Sequence, residues 1–125
     1  MAAPDAKRLI EIALRSFLDE VPALKALKLI VGIDLIGRGD VQQFRLQMPE
    51  QEVTKDMAAD SRVRIEMRRD FFNAMVEHRA RVADWREAFT YGQAKASGVD
   101  QYLKLIVNVV GKQEERTRLR KARQV

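Results

Sequence analysis

With three serines, one histidine and no cysteine, this chain of 125 residues offers few hydroxyl, imidazole or thiol groups for nucleophilic or acid–base chemistry. None of Ser16, Ser61 and Ser97 lies in a Gly-x-Ser-x-Gly turn, the strained strand-to-helix corner that exposes a nucleophile. His78 sits within the charged stretch Glu77–Arg81 and reads as a solvated surface histidine. A single imidazole excludes sites built on two or more histidines. The lack of cysteine excludes disulfides, thiol nucleophiles, iron–sulfur clusters and thiolate zinc sites. Asp19 and Glu20 are adjacent, so on a helix they diverge and form no general acid/base pair. There is no Gly-x-Gly-x-x-Gly or phosphate loop. Arg38-Gly39-Asp40 spells an adhesion tripeptide, but it falls where a hairpin turn accounts for both glycines. The expectation is a protein without catalytic residues, bound metal or cofactor.

The unusual residues are apolar instead. Tyr102, Leu103, Leu105, Ile106, Val107, Val109 and Val110 fill a segment in which only Lys104 and Asn108 are polar, and these two share one narrow helical face. This apolar arc is wider than the stripe needed to pack one side of a helix on a sheet. Such a helix is buried, lies at an interface, or closes over a ligand. The same arc serves as well for a homodimer or partner surface, and that alternative stays open at the level of sequence.

The elements that must position this helix follow from periodicity. Ala6, Leu9, Ile10, Ala13, Leu14, Phe17 and Val21 recur at three and four residues, predicting an amphipathic helix that Asp5 caps and Pro22 stops. From Leu29 the period changes to two. Strands are expected over 29–36 and 44–48, joined by the turn Gly37–Asp40, with a short strand in 52–57. Val63, Ile65 and Met67 alternate with Arg62, Arg64, Glu66 and Arg68, a half-buried strand with a charged outer face. Asp70 is expected to cap a short helix carrying Phe71, Phe72, Met75 and Val76. A second short helix, Asp84 to Tyr91, ends at Gly92. One more strand over 93–97 closes at Gly98, and a last apolar helix runs from Gln101 to Val110, ended by Gly111 and followed over 112–125 by a separate polar helix or frayed tail. Strands apolar on one side and polar on the other, with helices between them, predict an α+β two-layer domain whose helices cover one face of a mostly antiparallel sheet.

Charge divides the chain unevenly. Residues 1–111 hold 17 Lys/Arg and 16 Asp/Glu, a net of +1, whereas residues 112–125 hold six basic residues against two acidic ones, a net of +4. Lys112, Arg116, Arg118, Arg120, Lys121 and Arg123 therefore form a basic tail suited to an anionic membrane surface. No aromatics interleave with them, so base stacking has no platform and nucleic acid is not the expected partner. Lys7, Arg8, Glu11 and Arg15 interrupt the first apolar stretch, which is no signal peptide, and a cytoplasmic location is expected.

Two stretches resemble a known family. Asp60-Ser61-Arg62-Val63-Arg64-Ile65-Glu66-Met67, followed by Asp70-Phe71-Phe72, is similar to the strand-into-helix passage of the sterol carrier protein 2 (SCP2) domain. Ala88-Phe89-Thr90-Tyr91-Gly92-Gln93-Ala94-Lys95-Ala96-Ser97-Gly98 is similar to that family's Ala-Phe-x-x-Gly-x-x-Lys-x-x-Gly signature. One departure stands out: the family has a glycine just after the short helix, and Glu77-His78-Arg79-Ala80-Arg81 has none. The resemblance, which spans about residues 25–111, implies one domain over 1–111, with residues 1–24 as its first helix. It implies a five-stranded sheet and an apolar tunnel for a fatty acyl chain, acyl-CoA, sterol or phospholipid, or, as in some bacterial relatives, an isoprenoid quinone. The residues then expected to line the tunnel are Ile65, Met67, Phe71, Met75, Trp85, Phe89, Leu103, Ile106 and Val110.

Overall fold

A computed structural model describes residues 5–123; the first four residues of the expected domain and the last two of the basic tail lie outside it. Helix α1 spans Ala6–Glu20, with the Asp5 carboxylate accepting from the Lys7 backbone N–H at 3.2 Å, and a 3₁₀ turn, Pro22–Ala26, leads into the sheet. The strands are β1 (Leu29–Ile36), β2 (Val41–Met48), β3 (Glu52–Lys55), β4 (Val63–Arg68) and β5 (Ala94–Gly98). Between β4 and β5 come α2 (Arg69–Glu77) and α3 (Val82–Thr90), and α4 (Asp100–Arg123) ends the described chain.

The five strands form one sheet in the order β3-β2-β1-β4-β5. The β1–β4 pair is parallel and the other three pairs are antiparallel. Its register puts Leu29, Val31, Ile33, Leu35, Phe44, Leu46, Met48, Val63 and Met67 on one face, all buried. The helices lie on that face. The opposite face carries the polar half of the alternation in β2 and β4 and, on β1, Ile30, Gly32, Asp34 and Ile36. There Asp34 accepts from Arg64 at 2.6 Å and from Gln43 at 3.3 Å. The guanidinium of Arg64 lies over Gly32, where a Cβ would approach its Cζ to 2.9 Å, and also donates to the carbonyls of Met57 and Ala58. Gly32 thus makes room for the residue that ties the β3–β4 loop to the sheet.

The signature glycines are fixed by backbone geometry. Gly92 has φ +76°, follows the α3 C-cap Tyr91, and donates to the Phe89 carbonyl while Gln93 donates to Ala88. That is a Schellman close, in which the left-handed residue costs least when it is glycine. Gly98 has φ +132° and pairs with Val63; a Cβ there would stand 2.2 Å from the carbonyl oxygen of Arg62. The same close ends α2, where Arg79 takes φ +54°, donates to Val76, and Ala80 donates to Met75. The glycine missing from the sequence after the short helix is missing in residue type only, since Arg79 adopts its conformation.

Three expected boundaries are corrected. Helix α2 starts at Arg69, so Asp70 lies in its first turn and does not cap it. Helix α3 starts at Val82, and Asp84 reaches back to accept from the Arg81 N–H at 2.8 Å. Helix α4 does not end at Gly111; it continues for three more turns as a single helix of 24 residues. Gly111 keeps a negative φ, and the strong helix formers Lys112 to Arg116 carry the helix through a glycine that costs about 1 kcal/mol.

Candidate functional site: an apolar cavity beneath α4

Between the apolar face of the sheet and helices α1, α3 and α4 lies a cavity of about 850 Å³. The sheet contributes Leu29, Val31, Ile33, Leu46, Met48, Val63, Ile65, Met67 and Ala96. Helix α1 contributes Ile10, Ala13, Leu14, Phe17 and Leu18; α3 contributes Val82, Trp85 and Phe89; α4 contributes Leu103, Ile106, Val107 and Val110. Phe72 of α2 and Leu24 and Leu27 beside the 3₁₀ turn complete the apolar wall. Burial along β4 shows the cavity directly: Val63 and Met67 are buried, whereas Ile65, between them on the same face, is only half-buried because it opens onto the void. Ala13, Leu14 and Phe17 are half-buried on the inward stripe of α1 for the same reason.

The walls differ in firmness. Helix α3 buries Val82, Trp85 and Ala88, and Trp85 packs against Phe72 with ring centroids 6.0 Å apart. Its first turn is held to the end of α1, where Glu20 accepts from the Val82 N–H at 2.8 Å and from Arg81 Nε at 3.1 Å. Helix α4 buries no residue fully. It spans the cavity like a beam, with Leu105 at 42% and Val107 at 68% exposure.

The polar lining residues are Arg86 on α3, Asn108 in the first half of α4, and Lys112, Glu114 and Glu115 in its second half. Arg86 Nη1 donates to both carboxylate oxygens of Glu114 at 2.9 Å. The remaining basic tail residues Arg116, Arg118, Arg120, Lys121 and Arg123 are exposed on the last turns of α4. Among the described residues, no group of three or more His, Asp or Glu side chains could hold a metal ion, and no helix is long and apolar enough to cross a membrane.

Seven of the residues expected from sequence border the cavity: Ile65, Met67, Trp85, Phe89, Leu103, Ile106 and Val110. Phe71 and Met75 do not. They are half-buried against the core, and the neighbouring Phe72 is the α2 ring that reaches the cavity. With α2 beginning at Arg69, the helical rotation brings Phe72 inward and leaves the i, i+4 pair Phe71 and Met75 on an adjacent side. The α1 lining was missed, although its stripe at three- and four-residue spacing was visible; periodicity locates an inward face and does not tell a packed face from a void. The charged mouth was missed because Gly111 seemed to end the helix that carries it.

Neither a family model nor a curated protein matches the sequence. Solved structures do match its fold. The sterol carrier protein domain 2 of Helicoverpa armigera superposes with a TM-score of 0.60 at 11% identity, over 90% of this chain and 94% of that one. The solution structure of palmitated SCP2-like 2 protein from Aedes aegypti gives 0.56 at 14% identity, over 80% and 92%. Sterol carrier protein 2 from Yarrowia lipolytica, in its apo form, gives 0.51 at 16% identity, over 79% and 94%. The protein is an α+β domain with an apolar cavity between sheet and helices. Its fold is that of the SCP2 domain, the fold the two sequence stretches implied.

Proposed function

We propose that this protein is a non-enzymatic lipid carrier that holds one long-chain lipid in the cavity beneath α4. The observation that carries this reading is the cavity itself: about 850 Å³ of space walled by apolar side chains from the sheet and all four helices, in the size range of small-molecule sites. Each methylene moved out of water contributes about 0.8 kcal/mol, so a long acyl chain gains on the order of 10 kcal/mol gross. Immobilisation offsets several of these, leaving an affinity around micromolar, compatible with release. Ile65, Met67, Trp85, Phe89, Leu103, Ile106 and Val110 supply contact and shape. The palmitated state of the Aedes protein supports an acyl chain as the first ligand to try.

The basic end of α4 extends this reading to membranes. Lys112, Arg116, Arg118, Arg120, Lys121 and Arg123 share the helix that roofs the cavity, so attraction to an anionic surface brings the roof to the lipid source. Basic residues near such a surface gain about 1 kcal/mol each, screened as salt shortens the Debye length.

Trp85 tests the carrier reading, being the sole tryptophan and part of the wall. Titration with palmitate shifts its emission saturably and displaces a fluorescent acyl probe with the same midpoint. Unchanged emission together with no displacement contradicts the reading.

A further inference from the structure

We propose that the cavity mouth selects lipids with an anionic head, that Arg86 receives this head, and that Glu114 occupies its place in the empty protein. The proposal rests on the carrier reading and adds the ligand's charge and the residue that reads it. The cavity is electrically one-sided: its length is apolar, and its charged residues sit together where α3 faces the second half of α4. At that mouth Arg86 and Lys112 are balanced by Glu114 and Glu115, so the empty mouth is neutral. Arg86 directs one nitrogen at both Glu114 oxygens, a charge-assisted contact whose acceptor a lipid carboxylate or phosphate can replace.

The helices that carry the two partners are unequally anchored, although the Arg86 side chain is the more exposed, at 64% against 28% for Glu114. Arg86 follows the buried Trp85 on α3, whose first turn is fastened by Glu20 and Asp84. Glu114 lies on α4, which buries no residue. When the pair exchanges, the cation stays at the mouth and the carboxylate moves away. A neutral head would leave the pair intact. A cationic head could pair with Glu115 without breaking the Arg86–Glu114 pair, but it would lie beside Lys112 and Arg86. An anionic head replaces Glu114 on Arg86 and frees the last turns of α4 from their one described side-chain tie to α3.

The test compares four C16 lipids in a probe-displacement assay on the full chain: palmitate, hexadecyl phosphate, hexadecanol and hexadecylamine. Palmitate or hexadecyl phosphate is expected to bind about fivefold or more tighter than hexadecanol, the preference of one charge-assisted contact in a partly solvated site. Whichever of the two binds tighter identifies a carboxylate or a phosphate head. Arg86→Gln is expected to abolish that preference and leave hexadecanol unchanged. Glu114→Gln, which removes the internal competitor, is expected to tighten palmitate and to raise amide hydrogen exchange over residues 112–123 in the unliganded protein. Equal affinity for charged and neutral lipids, a preference for hexadecylamine, or weaker palmitate binding in Glu114→Gln overturns the proposal with the carrier reading intact. Failure of all four lipids to bind overturns the carrier reading and the proposal with it.

Discussion

Helices α3 and α4 both border the cavity, yet they are held by different means. Helix α3 buries Val82, Trp85 and Ala88, stacks Trp85 beside Phe72, and has its first turn capped from α1 by Glu20. Helix α4 is more than twice as long and far more apolar in its first half, yet none of its residues is fully buried. Apolar content therefore does not tell which helix is part of the core. A helix that packs against atoms becomes core, and one that packs against a void becomes a roof whose apolar side chains keep unsatisfied surface for a ligand.

Truncating one residue of the packed wall and one of the roof separates the two. Phe72→Ala on α2 is expected to lose about 3–4 kcal/mol of stability, because it removes a buried ring that borders the cavity on one side and packs against Trp85 of α3 on the other. Leu103→Ala is expected to lose less than about 1.5 kcal/mol, because the side chain already faces empty space, and to weaken palmitate binding instead. Urea unfolding with and without palmitate reads both. Equal destabilisation by the two variants would place α4 in the core.

A smaller effect tests the anchor of the firm wall. Glu20→Ala leaves the Val82 N–H without its acceptor and removes the partner of Arg81, and is expected to cost about 1–2 kcal/mol. Thermal unfolding measures it, and a change within error would show that α3 needs no tether to α1.

The smallest expected effect sharpens the description of the roof. A Cβ on Gly111 meets no atom within 4 Å, and its φ is helical, so Gly111→Ala is expected to stabilise the protein by about 0.5–1 kcal/mol and to slow hydrogen exchange across α4. A loss of stability would mean that the helix is broken at Gly111.

These differences also mark what was legible in the sequence. The β strands alternate cleanly because one sheet face is packed and the other wet, so their period survives as a pattern; Ile65 and its neighbours on β4 are the clearest case. The signature glycines were legible because Gly92 and Gly98 each answer a backbone demand. Arg79 shows the reverse, the same left-handed conformation occupied by a residue that gives no signal of it. The cavity was legible only as an excess, in the over-wide apolar arc of α4. Its other walls were not, since Leu14 and Phe17 form the same stripe whether they meet side chains or a void. Glu114 was hidden most completely. On a helix its i, i+4 partner is Arg118, and the structure pairs it instead with Arg86, 28 residues back.

Whether the space beneath α4 takes a lipid decides between a carrier and a protein-binding surface. Native mass spectrometry of the full chain, with palmitate present at several times the expected micromolar dissociation constant, is the decisive measurement. The prediction is a monomer carrying one palmitate, lost on collisional activation, and a smaller bound fraction in a Leu103→Trp variant, whose larger side chain intrudes on the space. A protein without lipid would show that the cavity is no binding site, and a dimer without lipid would show in addition that the apolar face of α4 meets another copy.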